Sequence, residues 1–329
     1  MESQEHRVGK NVMDGQLPLC SVVIPNHNYA RFLPQCLASL LTQGVPRKRL
    51  EVIVVDDAST DGSAALARTV LEGLGLASWQ VLELGRVGRP GPVRNAGLKV
   101  ARGEYLLCLD PDDQLLPGFL AESFAVLKAR NADVAYCGIV FEEQGPRGTT
   151  RRKVLPPEFH PRLLANQNFL PSACLMRRSM WDCGVRYRSQ TAYEDWDYWV
   201  QLAARSARFA RVNHALLLYR LRADGFSAQA RLVDGEAKAR IVEANAAFYP
   251  PWTRAWARGL LRGESWARPF GRGLIPLRRE LVGLPERYGQ HHGQRSIEIG
   301  RWTAAANLPT LGGGAPVLAA GDERRNEVA

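Results

Sequence analysis

Residues 105–113 read "YLLCLDPDD", an apolar run that ends in three carboxylates, Asp110, Asp112 and Asp113, with Pro111 among them. Two carboxylates about 6 Å apart repel by roughly 3 kcal/mol at an effective dielectric near 20, so a cation is expected at this point. An Asp-x-Asp pair at a strand end suits a hard divalent ion shared with a diphosphate, because Mg2+ and Mn2+ favour oxygen donors and keep part of their shell for phosphate. Taken alone, the triplet reads equally well as a helix cap with solvent-facing neighbours. Asp57, closing "EVIVVDD", could accept from a base N–H or simply form the turn of "DDASTDGS". Arg94 in "GPVRNAGL" has the reach for a phosphate or a base edge, though a lone arginine of this kind is more often a surface residue. A further acidic group sits far downstream in "YEDWDYW", where helical spacing puts Asp195 and Trp199 on one face and turns Glu194, Asp197 and Tyr198 elsewhere. A carboxylate held beside aromatic rings is partly desolvated, which raises its pKa toward that of a general base. The competing reading makes Trp196, Trp199 and Val200 core anchors and leaves the acids solvated.

These residues must be positioned by an alternation of short β-rich runs and helical patterns, the signature of βαβ units on a mostly parallel sheet. The strands are "CSVVIP", "EVIVVDD", "WQVLEL", "YLLCLD" and "DVAYCGIVF". Between them "RFLPQCLASLLTQG", "SAALARTVLEGL", "PVRNAGLKVA" and "GFLAESFAVLKAR" carry the helical period. Together they make a Rossmann-like half. Ligands of open parallel sheets sit outside the carboxyl ends of the strands. "PNHN", Asp56 with Asp57, and Asp110 to Asp113 therefore fall on one edge, and that agreement carries more than any single motif. Downstream, "GPRGTTRRK" reads as a mobile loop, "PSACLMRRSMW" as a strand running into a helix, "YEDWDYWVQLAARS" as a helix and "ARVNHALLLYRL" as a strand. A helix is expected over about 229–247, with an irregular pattern after 250. The expected organisation is a disordered leader over 1–18, a main domain over 19–228, a helical extension over 229–300 and a flexible tail over 301–329.

The chain of 329 residues has ordinary globular composition, no apolar run near 18 residues and no apolar signal-peptide core. Six scattered cysteines without a CxxC pair read as reduced thiols of a cytoplasmic protein. A net charge of +10 makes polyanions plausible partners. Residues 252–280 hold seven arginines against two glutamates, interleaved with Trp252, Trp256, Trp266 and other apolar residues. This segment either rests on an anionic membrane face or packs its tryptophans on the core.

As an ordered set, "VVIPNHN", "VVDDASTDGS", "GPVRNAGL", "YLLCLDPDD", "ED" and "YRLRADGFS" over about 19–228 resemble an inverting family 2 glycosyltransferase of the GT-A fold. The resemblance implies a Rossmann-like α/β fold with a mostly parallel sheet flanked by helices, plus a helical or irregular C-terminal extension. It implies that Pro25, Asn26 and Asn28 shape the nucleotide pocket, Asp57 recognises the base, typically uracil, and Arg94 approaches the nucleotide. Asp110 would hold the ribose or sugar side, Asp112 would ligate Mn2+ or Mg2+ on the diphosphate, and Asp195 would deprotonate the acceptor hydroxyl. Arg222 stands where the family often has a histidine; it cannot ligate a metal but can pair with phosphate. The expected partners are a nucleotide-sugar donor, a UDP-sugar, and a glycan or lipid-linked acceptor, for a role in cell-surface polysaccharide or glycoconjugate synthesis. The expected location is the cytoplasm, with peripheral contact to the inner face of its membrane through 252–280.

Two other classes compete. A basic nucleic-acid- or membrane-binding protein would need no acid cluster, and three acidic strand ends argue against nucleic acid as the ligand. A sugar nucleotidyltransferase would carry a glycine-rich loop after the first strand, and "PNHNYARF" has no glycine.

Overall fold

A computed structural model of the chain describes residues 19–277, except 147, 223, 224 and 272, together with the backbone of residues 7–8 and 298–302. The leader expected over 1–18 and the tail expected over 301–329 otherwise lie outside the described residues. In chain order the elements begin β1 (Arg7–Val8), β2 (Cys20–Asn26), α1 (Leu33–Ser39), β3 (Leu50–Asp57), α2 (Ser63–Glu72), β4 (Ser78–Leu84), α3 (Pro90–Val100), β5 (Tyr105–Cys108), β6 (Gln114–Leu115) and α4 (Phe119–Ala129). They continue β7 (Val134–Gly145), β8 (Gly148–Val154), α5 (Pro161–Asn166), β9 (Leu175–Arg177), α6 (Ser179–Asp182), α7 (Glu194–Ala203) and β10 (Phe209–Leu221). The last are α8 (Phe226–Ala230), α9 (Asp234–Ala244), α10 (Pro251–Leu261) and β11 (Glu298–Trp302).

The sheet runs β1-β4-β3-β2-β5-β9-β7-β10-β6. β4, β3, β2 and β5 are mutually parallel, as are β7 and β10, and antiparallel β9 joins the two blocks. β2 and β3, buried at every position, read as nearly continuous apolar runs because both faces are covered. Val22, Ile24, Val52 and Val54 enter the core on the α1, α2 and α4 side, whereas Val23, Ile53 and Val55 enter the core that contains residues of α3, α7, α9 and α10. α3 lies so close to the sheet that a Cβ on Gly97 would sit 2.4 Å from Val23 Cγ1. At the amino ends of the strands, buried Glu51 accepts from Ser21, Ser78 and both the backbone and side chain of Arg102, which ties β2, β3, β4 and the loop after α3.

Two expectations fail. Within "GPRGTTRRK", the residues from Gly148 onward form a strand, β8, paired antiparallel to β7 from Gly145↔Gly148 to Ile139↔Val154. Cross-strand partners stabilise it: Arg151 pairs with Glu142, and Arg152 stacks over Phe141 at 5.1 Å. The stretch Pro251–Leu261 is also regular, because Pro251 is tolerated in the first turn of α10 and an apolar stripe of Trp256, Ala257 and Leu260 packs inward, while the described residues after it are irregular as expected. Five of the six cysteines are buried, all six are free, and Cys183 is exposed. Among the described residues no helix is long and apolar enough to cross a membrane.

Candidate active site

The chain visits β2, β3 and β4 in one direction and then returns to lay β5 on the other side of β2, so a crevice opens where the strand order reverses. A cleft of about 1000 Å3 lies there. All nine residues nominated from the sequence line it: Pro25, Asn26, Asn28, Asp57, Arg94, Asp110, Asp112, Asp195 and Arg222.

The side nearest β2 and β3 is a braced pair of loops. Asn26 spends its amide on Asp56, Ser59 and Ser63, while its Oδ1 is buried without a partner. Asn28 adopts φ 60°, a conformation that asparagine tolerates, and its Oδ1 accepts from the Thr60 amide at 2.8 Å. His27 Nδ1 meets the Asp57 carbonyl at 2.7 Å. Asp56 thus serves the turn. Asp57 faces the cleft, where Arg86 and the amides of Val87 and Gly88 fix both of its oxygens. That grip orients a carboxylate and occupies much of its accepting capacity.

The acids after β5 have three different environments. Asp110 accepts from Arg94 at 2.5 Å and from Ser172 Oγ at 3.1 Å. Asp113, undecided from sequence, is fully buried: it accepts weakly from the Arg220 amide, and its Oδ2 has no partner. Burial, then the charges of Asp112 and Asp110, push its carboxyl well above the usual range. Asp112 opens to the cleft and meets Arg222 Nη1 at 3.6 Å. Burial and the neighbouring Asp110 push it up to about 6, against the pull of Arg222 and Arg220. Arg222 itself lies over the rings of Phe32 and Tyr29, at 4.8 and 5.0 Å.

Across the cleft, Asp195 is partly buried at the first turn of α7. Its Oδ2 accepts from Asn168 at 3.0 Å and its Oδ1 from its neighbour's amide, Trp196 N, at 2.8 Å. Burial raises its pKa despite these donors. Trp196, Trp199 and Val200 are core anchors at the same time, so both readings of this helix hold together. One expectation is corrected: Glu194 does not point elsewhere but enters the cleft. It is buried, neither oxygen has a well-formed hydrogen bond, and Arg94 Nη1 is 3.7 Å away. Burial pushes it up to about 7, opposed by Arg94 and the Gly91 amide. Arg94 therefore stands between Asp110 and Glu194 and links the two acidic groups. Asp197, by contrast, is a structural acid, clamped by Arg188 through two bonds of 2.6 and 2.7 Å.

Residues 21–184 match the family model "Glycosyl transferase family 2". The putative glycosyltransferase EpsE of Bacillus subtilis is 30% identical over 215 residues, which cover 64% of this chain and 75% of EpsE. The chain belongs to glycosyl transferase family 2. Within that family it is also 36% identical over 114 residues to the poly(ribitol-phosphate) beta-N-acetylglucosaminyltransferase TarS of Staphylococcus aureus, a match covering 35% of this chain. It spans about a fifth of the length of the first curated relatives it matches. The fold agrees with the crystal structure of TarS 1-349 in complex with UDP-GlcNAc, at a TM-score of 0.55 and 21% identity over 75% of this chain and 72% of that one. It agrees also with the mannosyltransferase PcManGT of Pyrobaculum calidifontis in complex with GDP-Man and Mn2+, at a TM-score of 0.55 and 19% identity over 78% of this chain and 74% of that one. These likenesses establish the GT-A fold for this family 2 chain.

The acids fit a metal of a particular kind. Among the described residues no three His, Cys, Asp or Glu side chains converge into a standing cage. Asp110 is held by Arg94 and Ser172, leaving Asp112 as a cleft-facing carboxylate whose ionisation a cation would favour. One carboxylate with phosphate oxygens and water is a donor set that Mg2+ or Mn2+ accepts.

Proposed function

We propose that this family 2 chain is a metal-dependent inverting glycosyltransferase that moves a sugar from a nucleoside-diphosphate sugar, a UDP-sugar, to a hydroxyl of a glycan or lipid-linked acceptor. Its role would be in cell-surface polysaccharide or glycoconjugate synthesis on the cytoplasmic side. The observation that carries this reading is the convergence in one cleft of Asp57, the Asp110–Asp112 pair and Asp195, from the ends of two strands and a distant helix. The TarS complex with UDP-GlcNAc supports a UDP-linked donor, and the Mn2+ complex of PcManGT supports a divalent ion.

In this reading Asp57, held rigid by Arg86 and two amides, receives the base. Asp110, held by Arg94 and Ser172, faces the ribose or sugar, and the "PNHN" loop with Pro25, Asn26 and Asn28 closes the nucleotide end. Asp112 would hold Mn2+ or Mg2+, which when bound neutralises charge on the departing diphosphate. Arg222 stands beside Asp112 and adds positive charge where the diphosphate would lie. Asp195 takes the proton of the acceptor hydroxyl, for which its raised pKa suits it. Asn168 and the Trp196 amide hold its carboxylate in place. The oxygen so freed attacks the anomeric carbon as the bond to the diphosphate breaks. A single attack from the far face inverts the anomeric configuration.

The test is release of UDP from a panel of UDP-sugars, with GDP- and dTDP-sugars as controls, in Mn2+ and in chelator. One donor turned over only with metal is the expected result. Absence of turnover and of nucleotide binding across the panel would overturn the reading.

A further inference from the structure

We propose that the outer face of α10, with the turn that follows it, is a docking surface for an anionic lipid leaflet. The proposal stands apart from the identity of the donor or the reaction. Six large hydrophobic residues are exposed among the described residues, and five of them, Leu232, Val233, Trp252, Leu261 and Trp266, fall in the C-terminal helical extension. Trp266 is 58% exposed and Trp252 37%. The reading in which this segment packs its aromatic residues inward holds for Trp256, Phe270 and Leu274, which are buried, and leaves these others facing out.

The helix explains the division. Thr253, Trp256 and Ala257 face the core, and Gly259 lets the Trp266 ring lie against the helix, since a Cβ there would meet Trp266 at 2.7 Å. The opposite side carries Arg254, Arg258, Leu261 and Arg262, with exposed Arg268 just beyond. Among the described residues, two carboxylates answer these four arginines: Glu243 lies 3.3 Å from Arg258, and Glu264 lies 3.7 Å from Arg262. The face is therefore net positive. Trp266 Nε1 donates to Glu264 at 2.6 Å, so its polar atom is satisfied while its ring is exposed.

A flat ring with one satisfied polar atom suits the headgroup layer of a bilayer. Arginine stems can lie along apolar surface while their guanidinium groups reach phosphate. Along the chain Leu261 falls between Arg258 and Arg262, and Trp266 between Arg262 and Arg268, an interleaving that fits a fluid layer of headgroups better than a shaped protein partner. The same extension walls the cleft through Arg231 and Gly273.

The experiment is sedimentation of the full-length protein with vesicles of phosphatidylcholine alone or carrying about a third phosphatidylglycerol. The wild type should sediment with the anionic vesicles, stay in solution with the neutral ones and be released at high salt. At about 1 kcal/mol per basic residue near the surface, Arg258→Gln with Arg262→Gln should lower partitioning about thirtyfold. Trp252→Ala should lower it as well, and the double arginine variant should keep the wild-type Tm, since both altered side chains are more than half exposed. Failure of the wild type to sediment, equal sedimentation with neutral vesicles, or variants that bind as the wild type does would each overturn the proposal. Capture of a protein partner without vesicle binding would do the same.

Discussion

Two kinds of buried acid coexist in this chain, and their partners tell them apart. Glu51 and Asp197 are saturated with donors and brace the fold, whereas Glu194 and Asp113 carry buried oxygens without a well-formed hydrogen bond. The second kind costs stability. The pKa of Glu194 is raised to about 7 in the fold, against an unfolded value near 4.3. Between those values the unfolded chain gives up a proton that the folded one retains, so this contribution is present below about pH 4 and lost as pH rises through about 7. Glu194→Gln should therefore raise stability at pH 8 by about 2 kcal/mol and add nothing at pH 4, as thermal melts at the two pH values would read. An equal gain at both would mean that the charge is not the cause. Asp195→Asn should lower turnover at least about a hundredfold. The wild-type kcat/KM should fall on the acid side with a pKa above the ordinary aspartate value, because burial raises that of Asp195. Helical spacing set Asp195 beside Trp199, and the family resemblance singled it out as a site candidate. Glu194 was not singled out, because spacing sorts residues along the side of a helix, whereas the cleft crosses the end of α7 and receives both residues of its first turn.

The elements that hold these residues were legible where burial sets the pattern. β2, β3 and β5 read as apolar runs ending in polar clusters, β4 as a strand between them, and α3 and α4 followed from helical period and proline placement. β8 was not, because its order comes from partners distant in sequence or across the hairpin: Glu142 binds Arg151 of β8 and Arg220 of β10. Glu142→Ala should leave both arginines without that partner and lower stability by about 1–3 kcal/mol in denaturant unfolding; no change would mean that the pairs are idle. Gly97 was legible only as a helix residue, yet it sets the approach of α3 to the sheet. Gly97→Ala should cost about 1–3 kcal/mol and displace Arg94, lowering nucleotide affinity in the same variant. A variant with wild-type stability would show that α3 can move away from β2 freely.

At the scale of the whole molecule, the C-terminal helices join the core cluster that supports the site. Ile241, Val242, Trp256, Phe270 and Ile275 pack in one cluster with Trp196 and Trp199 of α7. Asn245 bonds Asp197, and Lys238, buried beside Asp234, holds the carbonyls of Phe270 and Gly271. Ending the chain after Pro250 should therefore expose that cluster and lower Tm by well over ten degrees, as several kcal/mol of apolar burial are lost. An unchanged melt would make the extension an independent appendage. The sequence resolves this region least because it carries no strand-end motif and its order comes from tertiary packing. The proposed reaction divides labour across one cleft, with Asp112 serving the diphosphate and its metal and Asp195 serving the acceptor proton. Calorimetric binding of UDP in Mn2+ to the wild type, Asp112→Asn and Asp195→Asn tests it most directly. The account predicts that Asp112→Asn binds only as weakly as wild type does in chelator, while Asp195→Asn binds as wild type does in Mn2+. Full metal-dependent binding by Asp112→Asn, or its loss in Asp195→Asn, would contradict it.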